Sequence, residues 1–407
     1  MNTASPQPPP KSLPMQNLRV LALRNFFFGC RWNMVRAIWQ PFVLSLGASM
    51  PVLGLLESIG GFQGIMSTAT LSVGGWLSDR HGRKPFVVIA SAFGIVAMVA
   101  FALAGWLREW RLLLPGVVML GLTAIARPAT ESITAESVPP AERGLAFGRI
   151  GVTFAASGIF APTLGGFLAS RYGFLAVLLV GALLEFVTLC LVAFALHETL
   201  HSEARTPLIA SEFWALLKRI MTPPSGLRSF YVAVTIDMFA YGMGAGILPG
   251  LLTKVYRFTP FQLGLMASVS SASWAISQWF IGQWVDRRGY IPFLALSEAI
   301  AVFVATGWLI VQSFPAFLML EIFWGLVVAT WTPAFTAWIA NSVPERQRAE
   351  EIGRLGTFRG LLSFPAPYVG GLIYEAFGFR GPILGNLIGA AVAMILLLAF
   401  VREPNQS

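Results

Sequence analysis

Four stretches of this chain, Pro85–Leu107, Ile150–Ser170, Phe258–Val285 and Gly381–Val401, run without a single charged side chain. Each is long enough to cross a bilayer as a helix, which takes about 20 residues at 1.5 Å per residue. In water such segments need polar cover, yet 56% of the residues are hydrophobic and only 12% charged, against roughly 25% charged in a soluble domain. A bilayer supplies the missing cover, and the pattern predicts an all-α membrane protein.

Met50–Leu77, Phe174–Leu196, Ser229–Thr253, Tyr290–Ser313, Phe314–Val343 and Leu355–Tyr374 each carry one acidic or basic residue, and Asn25–Ser49 and Leu112–Val138 carry more. That makes twelve candidate spans, numbered 1 to 12 in chain order. With the N-terminus inside, eighteen Lys and Arg fall in cytoplasmic segments (among them Arg80, Arg83, Lys84, Arg143, Arg287 and Arg348). Six fall opposite: Arg108, Arg111, Arg171, Lys254, Arg257 and Arg380. The excess predicts a multi-pass protein of the cell (inner) membrane with both termini cytoplasmic. Its expected parts are a disordered tail over 1–17, a six-helix bundle over 18–196, a linker over 197–227, a second bundle over 228–402 and a short tail over 403–407. Within the linker, Leu208–Met221 sets Phe213, Trp214, Leu216 and Leu217 beside Glu212, Lys218 and Arg219. It reads as an amphipathic interfacial helix or as a polar linker with an apolar patch.

The net charge of +9 raises the question of nucleic acid, but the cations sit in short loops and form no basic stripe with aromatics. Cys30 and Cys190 lie in separate apolar spans, which speaks against a disulfide framework or a metal site. The polar, Pro-rich start shows no cleavable signal pattern. The three histidines, His81, His197 and His201, fall outside the spans, and no phosphate-binding loop is present. The chain does not read as an enzyme, and no cofactor or metal is expected.

Two short segments repeat. Gly75-Trp-Leu-Ser-Asp79-Arg80-His-Gly82-Arg83-Lys84-Pro85 returns 207 residues later as Gly282-Gln-Trp-Val-Asp286-Arg287-Arg-Gly289-Tyr-Ile-Pro292. A shift of 205 aligns Ser137–Phe174 with Ser342–Phe379 at thirteen identities in 38 positions, including Ala161-Pro162-x-x-Gly165-Gly166 on Ala366-Pro367-x-x-Gly370-Gly371. Six spans per half keep both halves in one orientation, so the repeat is parallel. Transporters of this design bind cargo near the midplane between the halves.

Over nearly its whole length the chain resembles the major facilitator superfamily. The loop after span 2 matches that family's G-x-L-a-D-r-x-G-r-k hallmark at Gly75, Leu77, Asp79, Arg80, Gly82, Arg83 and Lys84. Span 5 resembles the G-x-x-x-G-P-x-x-G-G element of drug/proton antiporters, departing in Ala161 and in Gly158 standing one residue closer. The small residues around Pro162, Gly165, Gly166, Pro367, Gly370 and Gly371 serve either close helix packing or antiport. Recurrence in the second half favours packing.

The resemblance implies a latch at the cytoplasmic side, built from Gly75, Asp79, Gly82, Arg83, Glu136 and Asp286. Asp79 would bind the N-terminus of a neighbouring helix, and Arg83 would bridge Asp79 to Glu136. The plainer reading makes these loop charges that fix topology. In the second half the equivalents of Arg83 and Glu136 are Tyr290 and Asn341, so both ionic partners are replaced together while Asp286 remains.

The resemblance also places spans 1, 4, 7 and 10 around a central cavity, which makes Arg31, Arg36, Arg127, Glu131, Asp237, Glu321 and Trp331 the candidate cavity residues. A charge at bilayer depth costs about 2.5–3.5 kcal/mol on insertion scales and marks function. Arg127 and Glu131, spaced i, i+4, are placed to pair. Asp237, about 13 Å from the end of span 7, has no cation in its own span and is the favoured proton carrier. Arg359 on span 11 lies at similar depth, while Glu185 and Glu298 are expected at the periphery. Trp324, Trp331 and Trp338 recur every seven residues on span 10, as packing or as an apolar cavity wall.

The expected function is a secondary active, proton-coupled exporter of small amphipathic compounds, working as a monomer in the lipid bilayer and driven by a proton gradient. The alternative is a transporter of an organic anion or lipid head group held by the arginines. A receptor or scaffold is disfavoured because only short loops leave the membrane.

Overall fold

The computed structural model describes residues 12–61, 64–200, 218–344 and 347–404. Among them there is no β-strand. The expected tail splits: residues 1–11 lie outside the described residues, whereas helix α1 (Ser12–Ser45) begins six residues before the expected boundary at 18. Asn17 secures that early start, accepting from the His197 amide and donating to the His197 carbonyl. Of the expected amphipathic helix, Leu208 to Leu217 lie outside the described residues.

Seven further helices complete the first half: α2 (Met50–Gly60), α3 (Ile65–His81), α4 (Lys84–Leu107), α5 (Leu113–Leu122), α6 (Ala126–Glu136), α7 (Arg143–Tyr172) and α8 (Phe174–Ala195). The second half has α9 (Arg228–Met243), α10 (Leu248–Tyr256), α11 (Pro260–Arg288), α12 (Ile291–Ile310), α13 (Phe314–Ser342), α14 (Arg348–Ser363), α15 (Ala366–Phe377) and α16 (Arg380–Phe400).

Among the described residues, eight helical stretches are long and apolar enough to cross a membrane: Lys84–Leu107, Trp110–Glu136, Pro140–Tyr172, Phe174–Ala195, Ser225–Tyr256, Ile291–Ile310, Phe314–Ser342 and Arg380–Phe400. Side chains such as Trp106, Phe194 and Trp279 stand exposed on the outside of the bundle. The remaining four expected spans do not reach the same apolarity, each for a visible reason. α1 carries Arg19, Arg24, Arg31 and Arg36, and α11 is rich in serine and glutamine. The stretch Met50–His81 is interrupted between α2 and α3, and the stretch Arg348–Phe377 between α14 and α15 at Phe364-Pro365.

The repeated loops fold alike. Gly82 closes α3 at φ +99° and Gly289 closes α11 at φ +89°, a region where a Cβ strains the backbone. Each half also uses its repeated arginine identically: Arg143 donates to the Ala135 carbonyl and Arg348 to the Ala340 carbonyl.

The halves meet at the end of the bundle away from the Asp79 loop, through α7 against α11 and α2 against α15. Backbone touches backbone there. A Cβ on Gly166 would stand 2.9 Å from Phe261 Cα, and one on Gly371 2.7 Å from Pro51 Cα. The contacts obey the repeat: Gly264 lies on the Pro162 carbonyl, and Gly54 on the Pro367 carbonyl. The preceding glycine of each pair faces its own half, Gly165 against Met34 and Gly370 against Met243. At the motif end, Gly148 and Gly151 of α7, Gly282 of α11 and Gly353 of α14 have nothing within 4 Å of an added Cβ. The halves are closed together at one end and apart at the other.

Gly166→Val should therefore overpack the closed end and lower stability by about 1–3 kcal/mol, read as a fall in Tm of the purified protein. Gly148→Val, which meets open space, should leave Tm unchanged. Equal losses would contradict the interface.

Candidate functional site

Between the halves lies a cavity of about 260 Å³, walled by residues of α1, α9, α10, α11, α12 and α13, including Arg36, Gln40, Tyr241, Trp308, Glu321 and Trp324. Helical spacing explains the wall. Trp324 stands three residues after Glu321 on α13, one face of the helix. The Tyr241 and Trp324 rings stack at 6.0 Å, and Trp308 lies 5.3 Å from Trp324. Glu321 and Ser270 line the same cavity.

Arg36 reaches Glu57 of α2 at 3.9 Å. Gln40, one turn along α1, ties this corner across the halves. Its amide nitrogen donates to Glu57 Oε1 at 2.9 Å and to the Gly246 carbonyl at 2.7 Å, and its oxygen accepts from the Gly250 amide at 2.7 Å. Those backbone groups are free because the chain breaks its helix between α9 and α10. The cavity is thus sealed at the closed end by a fully used amide.

The structure separates the other candidates. Arg31 does not face the cavity as a free donor: it is 1% exposed and bound to Glu185 of α8 at 2.6 Å. Glu185, expected at the periphery, is the buried counter-charge that Arg31 requires. Arg127 and Glu131 pair at 3.0 Å, as their spacing implies, but both are exposed and neither lines the cavity. The tryptophan stripe is divided: Trp324 faces the cavity, Trp331 stacks on Phe335 at 5.9 Å, and Trp338 is buried against Phe230 at 3.8 Å. Asp237 is not alone. Arg359 of α14 and Glu298 of α12 are its ionisable neighbours.

At the motif end, Arg83 is 8% exposed. It contacts Glu136 at the end of α6 and reaches Asp79 at 3.6 Å. Gly75 of α3 lies beside Pro128 of α6, whose ring would make only ordinary contact, at 3.6 Å, with an added Cβ. The Asp79 side chain is 63% exposed, with Arg83 as its ionic partner. Asp286 lies in the last turn of α11. In the second half the ion pair becomes a neutral contact, the Asn341 amide donating to the Tyr290 hydroxyl at 2.9 Å.

Two residues here escaped the sequence reading. Glu198, just beyond α8, accepts from the amides of Arg83 and Lys84 at 2.9–3.0 Å. Glu403, just beyond α16, accepts from Tyr290 and Ile291 at 2.7 and 2.8 Å. Each carboxylate caps the exposed N–H groups opening α4 or α12, where the helix dipole favours an anion. The signal was available: a shift of 205 places Glu198 on Glu403.

A family model described as Major Facilitator Superfamily matches residues 21–235 and 230–407. Among curated proteins, the chain is 24% identical over 395 residues to a multi-drug resistance efflux pump PmrA homolog of Lactococcus lactis, covering 93% of each chain. It is 25% identical over 374 residues to multidrug resistance protein MdtG of Salmonella dublin, covering 90% of each. Among solved structures, the human organic anion transporter MFSD10 shares the fold at a TM-score of 0.67 and 18% identity, with 96% of this chain and 100% of that one covered.

Burial pushes the pKa of Glu198 up, but the amides of Leu200, Arg83, Lys84 and Thr199 outweigh it and hold the carboxyl below its ordinary 4.5. A group depressed on folding stabilises fully above its unfolded value and loses that contribution as pH falls through the folded one. The wild-type Tm should therefore drop as pH is taken below about 4.5, and Glu198→Gln should flatten that part of the profile. A profile identical in both proteins would refute the cap.

Proposed function

This chain belongs to the Major Facilitator Superfamily, and from that premise we propose that it exports small amphipathic, aromatic cations in exchange for protons. It is a membrane transporter. In this reading twelve helical passes, paired as 18–196 and 228–402, form two halves that rock about the closed end, with both termini cytoplasmic and one chain as the working unit. The gap at the motif end corresponds to the state open to the cytoplasm.

The cavity wall carries the proposal. Tyr241, Trp308 and Trp324 offer a stacked aromatic surface beside Glu321, the chemistry that receives a flat cation. Arg36 is matched by Glu57 and Arg31 by Glu185, so the arginines are committed before an anion arrives. The names of the efflux-pump relatives agree with drug export. Asp79, exposed in this state, would engage the start of α14, which packs against α3, when the motif end closes.

In binding titrations on purified protein, Glu321→Gln should weaken ethidium by about tenfold, the loss of one charge-assisted contact. Trp324→Ala should also weaken it, and Arg36→Gln should change it little. Weakening by Arg36→Gln of an anionic dye such as fluorescein, with ethidium unbound, would favour the organic-anion reading instead.

Asp79→Asn or Arg83→Ala should abolish or strongly slow ethidium efflux without loss of membrane insertion, while Asp286→Asn should do less. Equal damage at Asp79 and Asp286 would reduce the motif to a topological signal.

A further inference from the structure

Where the halves are closed together, one side chain reaches from the first half into the backbone of the second. Gln40, 2% exposed near the end of α1, holds Glu57 of its own half and the Gly246 carbonyl and Gly250 amide of the other. A shift of 205 places Gln40 on Ala245. The contact therefore joins near-equivalent positions of the two halves and lies close to the axis that relates them.

The halves differ at this point. α1 runs through Pro41 to Ser45, whereas its counterpart breaks at the turn Ala245–Ile247 between α9 and α10. The break frees backbone groups, and Gly250, in the first turn of α10, has an N–H without an intrahelical acceptor. These groups are claimed from two sides. Asn386 of α16, in the same half, accepts from the Ala245 amide at 3.0 Å, while Gln40 takes Gly246 and Gly250.

Glu57 fixes which way the Gln40 amide points. A carboxylate and a carbonyl only accept, and a backbone N–H only donates. Turned over, the amide would set its oxygen against Glu57 and the Gly246 carbonyl, and its NH2 against the Gly250 N–H. Glu57 is 6% exposed, with Arg36 at 3.9 Å as its counter-charge. Glutamate in place of Gln40 would bring an acceptor against two acceptors, and leucine would strand buried backbone groups, which is costly.

Other hydrogen bonds cross between the halves, from Thr163 to Ser268, from the Phe261 amide to Ser170 and from the Tyr368 amide to Ser58. Each relies on a hydroxyl at a partly buried or exposed position, where water can take over the partner's role. The Gln40 bonds are buried. Gln40 and Gly246 also line the cavity, so the same contact belongs to the cargo wall and to the seal.

We infer that Gln40 is the bolt of the closed end: its amide must release Gly246 and Gly250 before the cavity opens on that side, and its bonds hold the resting protein open toward the motif end. The inference rests on the two-state reading above. Glu57 is the positioning group that keeps the amide turned toward the second half.

A thiol reporter in the cavity wall tests it. A chain carrying Ala267→Cys with Cys30→Ser and Cys190→Ser is treated with a membrane-impermeant maleimide. Intact cells present the closed end to the reagent, and inverted membrane vesicles present the motif end. Adding Gln40→Leu should raise the labelling rate from the closed-end side about tenfold, the weight of roughly one net hydrogen bond, and lower it from the motif side. Gln40→Glu, which keeps the side chain's length, should do the same. Ser268→Ala, which loses only the Thr163 contact, should leave both rates unchanged. Unchanged rates in Gln40→Leu, or an equal shift in Ser268→Ala, would overturn the bolt. A rise on both sides in both Gln40 variants would make the residue a packing element and overturn it as well. Equal labelling of the reporter chain from both sides, before any change at Gln40, would instead sink the two-state reading and the bolt with it.

Discussion

Helices in a bilayer gain nothing from hiding apolar surface, because the lipid is as apolar as they are, and close backbone packing must hold them. This chain meets that demand at one end. The Pro162 carbonyl rests on Gly264, the Pro367 carbonyl on Gly54, and Gly166 and Gly371 bring opposing backbones into contact. No long side chain intervenes to repack, so the two halves are joined at a stiff junction. The Gln40 bridge to Gly246 and Gly250 lies beside that junction. The aromatic cavity lies beside it, and the glycines at the motif end face open space.

Duplication supplies the same backbone devices twice and lets charge differ. Gly82 and Gly289 make the same turn, and Glu198 and Glu403 cap the following helices in the same way. Only the first half adds the Asp79–Arg83–Glu136 cluster, and Tyr290 with Asn341 keeps the contact without the charge. A neutral hydrogen bond tolerates separation and re-solvation better than a half-buried ion pair, so the two halves hold the same corner with different electrostatics. The second half concentrates its ionisable groups deeper, at Asp237, Glu298 and Arg359.

Much of this was legible in the residues. Charge-free runs announce membrane helices because nothing else can cover them, and the i, i+4 spacing of Arg127 and Glu131 determines their contact within one helix. The repeat at a shift of 205 carries one side of the paired contacts, Pro162 and Gly166 recurring as Pro367 and Gly371, while their partners Gly264 and Gly54 stand outside that register. Where a helix begins or breaks was less legible: the start at Ser12 depends on Asn17 meeting His197, 180 residues away in the chain.

Which buried charge meets which was decided by tertiary structure alone. Arg31 and Glu185 are 154 positions apart, and nothing in either helix marks the face that turns inward. A soluble helix betrays its buried side by an apolar stripe, but a membrane helix is apolar on the lipid side and the protein side alike. Composition and repeat therefore determined the membrane helices and their two-fold plan. Only packing could place Arg31 on Glu185 and leave Arg36, Tyr241, Glu321 and Trp324 around one cavity.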